Sequence, residues 1–89
     1  MSQIIRRASA GTLESSDVYV EIEPAEAGIE IELDSVVIDQ FGDSIRRAAG
    51  EVLAEQGVDS ARLRLVDRGA LDCVIRARVE TAVARGKGE

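Results

Sequence analysis

The run Val18-Tyr19-Val20-Glu21-Ile22-Glu23, resumed after Pro24–Gly28 as Ile29-Glu30-Ile31-Glu32-Leu33-Asp34, decides the fold class. In both halves apolar residues alternate with polar ones, the period of a strand with one buried face. Pro24 and Gly28 mark a turn between them, and two alternating strands on a short link are expected to form an antiparallel hairpin. After Ser35 the period lengthens. Val37 or Ile38, Phe41, Ile45, Ala48 or Ala49 and Val52 recur at three- and four-residue steps, predicting a helix to about Gln56. Asp34 or Ser35 is the expected N-cap and Gly57 the stop. Gly42 and Gly50 fall inside this helix, each at a cost of about 1 kcal/mol relative to Ala.

Arg62-Leu63-Arg64-Leu65-Val66 alternates again, and Asp67-Arg68-Gly69 reads as a turn. Leu71, Val74, Ile75, Val79, Ala82 and Val83 fit a second helix, although Asp72–Ala77 also tolerates an extended reading as a fourth strand. The expected architecture is a small single α+β domain of order β-β-α-β-α, with two helices on one face of a small sheet. Residues 1–10 read as a flexible arm or a short edge strand, 11–85 as the folded domain and 86–89 as a disordered tail.

Composition narrows the function. A chain of 89 residues buries only about 60–65% of its unfolded surface, enough for one modest core and not for a walled reaction chamber. Seventeen acidic against eleven basic residues give a net charge of −6. That balance argues against nucleic acid and against an anionic membrane, and it suits docking onto basic surfaces of larger partners. There is no histidine and one cysteine, so imidazole catalysis, an intramolecular disulfide and a thiolate metal site are all excluded. Cys73 reads as a small buried hydrophobe on the apolar helix face. With no apolar run long enough for a span and no leader pattern in Met1–Ala10, the cytoplasm is the expected location.

The remaining candidate chemistry is a displayed hydroxyl. Ala10-Gly11-Thr12-Leu13-Glu14-Ser15-Ser16-Asp17 is a small-residue polar loop ahead of the first strand. Such a loop gives a modifying enzyme access to Ser15, with Ser16 as the fallback because nothing local separates the two hydroxyls. The plain alternative is a strand-entry loop whose serines bond nearby backbone. Glu14 and Asp17 would repel a phosphate, so their expected roles are loop solvation, loop termination or contact with a basic partner. Ser35, within Asp34-Ser35-Val36, is a second candidate, since a serine at a helix start places phosphate near free N–H groups. Its simpler role is an N-cap. Arg62 and Arg64 share one strand face, where pairing with neighbouring carboxylates is the expected use. Glu21/Glu23 and Glu30/Glu32 read as the solvent side of the sheet.

Three stretches in order carry a family resemblance. They are the Ala10–Asp17 loop, Gln40-Phe41-Gly42-Asp43 with Ile45-Arg46, and Arg68-Gly69-Ala70-Leu71-Asp72-Cys73 running into Ile75-Arg76-Ala77-Arg78-Val79-Glu80. Together they resemble the acyl carrier (gamma) subunit of citrate lyase, over nearly the whole chain. The resemblance implies a non-catalytic carrier whose Ser15 holds 2′-(5″-phosphoribosyl)-3′-dephospho-CoA through a phosphodiester. It further implies a terminal thiol bearing acetyl and citryl as thioesters. The implied partners are the alpha (acyl transferase) and beta (citryl lyase) subunits and a prosthetic-group transferase. Citramalate lyase uses a similar carrier. Two other readings accompany this one: an unmodified acidic adaptor, and a phosphopantetheine carrier using Ser35, whose Asp-Ser pair echoes ordinary acyl carriers.

Overall fold

A computed structural model describes residues 3–89; the expectations that fall on Met1 and Ser2 lie outside the described residues. The elements are β1 (Ala8–Gly11), β2 (Val18–Glu23), β3 (Ile29–Ser35), α1 (Ile38–Glu55), β4 (Ala61–Asp67) and α2 (Asp72–Gly86). The α+β class is as expected, with one strand added at the start: the order is β-β-β-α-β-α. Within the stretch read as an arm or short edge strand, Ala8–Gly11 forms the edge strand, pairing antiparallel with β2. Ile4 is buried in the core. The extended alternative for Asp72–Ala77 is not adopted; that stretch is helical.

The expected β2–β3 hairpin is corrected. The sheet order is β1-β2-β4-β3, so β4 separates the two strands, antiparallel to β2 and parallel to β3. The outer-face charges supply the reason. Direct pairing would set the glutamates of β2 against those of β3, and like charges across a ladder are destabilising. With β4 between them, Arg62 faces Glu23 and Glu30 while Arg64 faces Glu21 and Glu32, in register on both sides. All four ion pairs form, at 2.8 to 3.3 Å. The parallel β3–β4 pairing needs a crossover, which α1 provides.

The inward residues of the same strands, Val18, Val20, Ile22, Leu63 and Leu65, are fully buried under the helices. On α1 the buried set is Ile45, Ala48, Ala49, Val52 and Leu53; on α2 it is Ile75, Val79, Ala82, Val83 and Gly86. Both sets follow the i, i+3/i+4, i+7, i+8 stripe of a helix with one apolar face. The two helices touch each other, α2 covers β1 and β2, and α1 reaches β3. Cys73 falls off this stripe, two residues before Ile75, and is exposed rather than buried.

Helix ends depart from expectation at one terminus only. The N-cap of α1 is Val37, without a side-chain cap bond; Ser35 closes β3 instead. At the other end Gly57 has φ 72. Its N–H donates to Ala54 C=O (3.1 Å) and that of Val58 to Leu53 C=O (2.9 Å), a Schellman closure with Val58 and Leu53 both buried. The last residues close α2 rather than forming a loose tail. Gly86 packs where an added Cβ would sit 3.2 Å from both Ile4 and Ile22, and the N–H groups of Lys87, Gly88 and Glu89 donate back to α2 carbonyls.

Of the two glycines inside α1, Gly42 is buried and an added Cβ would lie 3.2 Å from Ile38 Cγ1. Gly50 has nothing within 4 Å of that position. Gly50→Ala is therefore expected to stabilise the protein by about 0.5–1 kcal/mol, raising the thermal midpoint by about 2–8 °C. A midpoint that falls would mean that α1 requires the bare backbone there.

Candidate functional site

The strand order brings three connections to one end of the sheet: the β1–β2 loop (12–17), the β3–α1 link (36–37) and the β4–α2 turn (68–71). Ser15 lies in the first. Glu14–Asp17 is a β-turn, closed by the Asp17 N–H donating to Glu14 C=O (3.2 Å), with Ser16 in the third position at φ 66. Ser15 and Ser16 are both exposed, and their backbones differ. The Ser16 N–H donates to Arg68 C=O (2.8 Å) and the Arg68 N–H to Asp17 C=O (2.9 Å). Ser16 is thus stitched to the β4–α2 turn, while Ser15 occupies the corner of the β-turn.

Asp17 organises the loop. Its Oδ2 accepts from Thr12 Oγ1 (2.7 Å) and Arg78 Nη2 (2.9 Å), its Oδ1 from Val18 N–H (2.7 Å) and Arg78 Nε (3.1 Å). Thr12 Oγ1 in turn accepts from the Glu14 N–H (3.2 Å). The two-pronged bond from Arg78, then the Thr12 hydroxyl, hold the Asp17 carboxyl down at about 2. The loop also depends on Gly11, at φ 90, where a Cβ would stand 1.9 Å from the Val18 carbonyl oxygen. No side chain fits there without parting β1 from β2.

A second aspartate does similar work beside it. Asp67 is the buried polar residue of the core (1% exposed). Its Oδ2 accepts from Ser35 Oγ (2.8 Å) and its Oδ1 from the Ala70 N–H (2.9 Å). Ser35 Oγ also accepts from the Val37 N–H (3.1 Å). The Ser35 hydroxyl is therefore committed to the fold, tying the β3–α1 link to the β4–α2 turn.

Other candidates sit elsewhere. Arg62 and Arg64 face away from the helices and are engaged by Glu21, Glu23, Glu30 and Glu32. Arg76 bridges Glu51 and Asp72. Two residues of this end, Arg78 and Arg68, stand in the stretches that carry the resemblance, and the sequence assigned neither a role at the Ser15 loop. The Arg78–Asp17 pair joins positions 61 apart, so no local pattern reveals it. Arg68 is exposed beside Ser16 and enters no ion pair among the described residues. Beyond Arg68 opens an apolar groove of about 380 Å³ between the N-terminal ends of α1 and α2. Phe41 and Leu71, expected in the helix stripes, border it at 52% and 70% exposed. Among the described residues no group of three or more His, Cys, Asp or Glu is placed to hold a metal, and no helix is long and apolar enough to cross a membrane.

The Asp17 bonds give a pH-dependent contribution whose sign is fixed. The folded carboxyl titrates lower than the ordinary 3.8, so the unfolded chain binds the proton more readily. The stabilisation is complete above pH 3.8 and is lost as pH falls through about 2. Asp17→Asn is expected to lower stability at neutral pH by about 1–2 kcal/mol, with the gap to wild type closing across that acid window. Urea melts of both proteins at successive pH values measure it; a gap independent of pH would show that charge does not hold the loop.

Comparison with known proteins bears on the same residues. Residues 5–86 match the model of the ACP family, described as malonate decarboxylase delta subunit (MdcD). Citrate lyase acyl carrier protein of Escherichia fergusonii is 56% identical over 84 residues, 93% of this chain and 87% of that protein. That of Rhodopseudomonas palustris is 51% identical, over 98% of this chain and 90% of its own length. In fold, the chain matches one from a Pseudomonas malonate decarboxylase hetero-tetramer solved in complex with malonate. The TM-score is 0.78 at 23% identity, over 90% of this chain and 82% of that one. At such identities across nearly its whole length, the chain belongs to the citrate lyase acyl carrier protein family.

Proposed function

We propose that this protein is the acyl carrier subunit of a citrate lyase complex and that Ser15 is the residue to which its prosthetic arm is attached. The observation that carries the reading is the turn Glu14–Asp17. It offers Ser15 at an exposed corner while Asp17, Arg78 and the Ser16–Arg68 bond fix the loop beneath it. An attachment residue needs both features: access for the transferase, and a defined origin for the arm. Ser16 satisfies the first but has its backbone drawn into the fold. Ser35 is disfavoured because its hydroxyl already serves Asp67 and Val37.

The group that fits is 2′-(5″-phosphoribosyl)-3′-dephospho-CoA in phosphodiester linkage. The open corner puts no wall against so large a substituent, and exposed Arg68 stands beside it as a cation for phosphate. When bound, the arm supplies a terminal thiol able to carry acetyl and citryl as thioesters. The chain's own part is to hold the tether and to be recognised. It brings no histidine to the chemistry, so proton transfers belong to the alpha (acyl transferase) and beta (citryl lyase) subunits. Its net charge of −6 suits basic docking surfaces on those subunits and on the prosthetic-group transferase. The proposed setting is the cytoplasm.

Intact-mass and peptide mass spectrometry after incubation with the prosthetic-group enzymes of the same source tests this. The expected result is the mass of the arm on the Ser15 peptide and none in Ser15→Ala. Phosphopantetheine on Ser35 would place the protein with ordinary acyl carriers. An unmodified chain beside demonstrably active enzymes would make it an adaptor.

A further inference from the structure

The groove between α1 and α2 lies on the same end of the sheet as Ser15, and a single turn connects them. Ser16 is hydrogen-bonded to Arg68; Gly69, Ala70 and Leu71, the next three residues, already line the groove. From the start of β2 to the end of β4 is one inter-strand spacing of about 5 Å. Its walls are Val37, Phe41, Ile45, Ala70, Leu71 and Ile75, with Ser44 and Asp72 as the polar points. The chain's one phenylalanine is half-exposed there, and Leu71 is exposed at the border. An apolar cluster left open in so small a protein marks a binding surface.

We propose that this groove receives the adenine base of the arm attached at Ser15, with Arg68 against the serine phosphodiester between them. The inference rests on the carrier reading above and adds to it a resting place for one part of the arm. Chemistry selects that part. Phosphates and a citryl group are anionic, and the lining of the groove holds no cation to receive them. Acetyl is too small to fill the space. Pantetheine's two amides carry four N–H and C=O groups, more than Ser44 and Asp72 can partner, and would lose their water in the apolar wall. Adenine is flat and uncharged near neutrality. It has two apolar faces for Phe41 and Leu71, and an edge that can donate to Asp72 and bond the Ser44 hydroxyl. Stacking of a base on an aromatic side chain is favourable whatever the base.

Connectivity agrees. The added ribose joins the serine phosphate to the adenosine sugar, so the base belongs to the near part of the arm and pantetheine to the far part. Seating the base beyond Arg68 leaves the pantetheine chain alone to swing. The volume searched by the thiol contracts, and its effective concentration at a docked partner rises.

The test compares two-dimensional NMR spectra of the full chain with and without the arm, the attachment being verified by mass. Shift changes at Phe41, Ile45, Leu71 and Ile75 are expected, together with cross-relaxation between adenine ring protons and the Phe41 ring. Phe41→Ala and Leu71→Ala, both at exposed positions, are expected to abolish these contacts while the mass gain at Ser15 is retained. Changes confined to residues 12–17, with adenine signals as in free dephospho-CoA, would overturn the proposal. So would groove shifts that arise only when a partner subunit is added, which would make the groove a protein interface. Absence of the mass gain is a separate result: it removes the carrier reading and this inference with it.

Discussion

Strand β4 holds the structure in order. It is the strand with an antiparallel ladder on one side, to β2, and a parallel one on the other, to β3. On the helix side it contributes Leu63 and Leu65 to the core; on the open side it contributes Arg62 and Arg64 between two rows of glutamate. Each exposed ion pair is worth little by itself, at most about 1 kcal/mol. Their importance is in selection. The apolar faces of β2 and β3 would accept either neighbour, whereas the charges favour only the arrangement with β4 in the middle. The parallel partner then requires α1 as its crossover, and the polarity of the ladders delivers the 12–17 loop, the 36–37 link and the 68–71 turn to one end.

That end is held by two aspartates with different reach. Asp17 binds the β1–β2 loop to α2 through Arg78; Asp67 binds the β3–α1 link to the β4–α2 turn through Ser35 and Ala70. The Ser16–Arg68 and Arg68–Asp17 backbone bonds join the two systems. A loop of small polar residues would otherwise sample many conformations, each at a cost in entropy when ordered. Here the carboxylate of Asp17 satisfies the loop's donors, so the corner at Ser15 is both open and positioned. The negative charge expected to keep phosphate away serves instead as an internal ligand.

Strand and helix periods were legible because burial on one face writes itself into alternation or a three-to-four step. Pairing was less so: the hairpin expectation followed from adjacency in sequence and overlooked the sign of the outer residues. The signal was present, since two glutamate-bearing strands and one arginine-bearing strand admit one order without like-charge contacts. Cys73 was misplaced because its neighbours are apolar, although two residues on a helix turn it away from the Ile75 face. Phe41 and Leu71 satisfied the periodicity and are nonetheless exposed, because each lies at the start of its helix where the sheet has ended. Ser15 was legible as a candidate; what separates it from Ser16 and Ser35 is hydrogen bonding to Arg68 and Asp67, which sequence alone does not display.

The distribution of charge bears on how a carrier built this way treats its cargo. Arg7, Arg62, Arg64, Arg76 and Arg78 are all engaged by carboxylates, so the surplus of −6 is left largely unopposed on the surface. Part of it lies at the functional end: Glu14 beside Ser15, and Asp39 in the first turn of α1, where the helix dipole favours it. On the proposed function one of the two acyl groups, citryl, is itself anionic. A carrier surface of the same sign repels it, and the cations that bind it must be those of the partner subunits. On these proposals the protein holds the base and the first phosphate of its arm and has no affinity for the citryl group, which is the division that lets a tethered substrate be released to one active site after another.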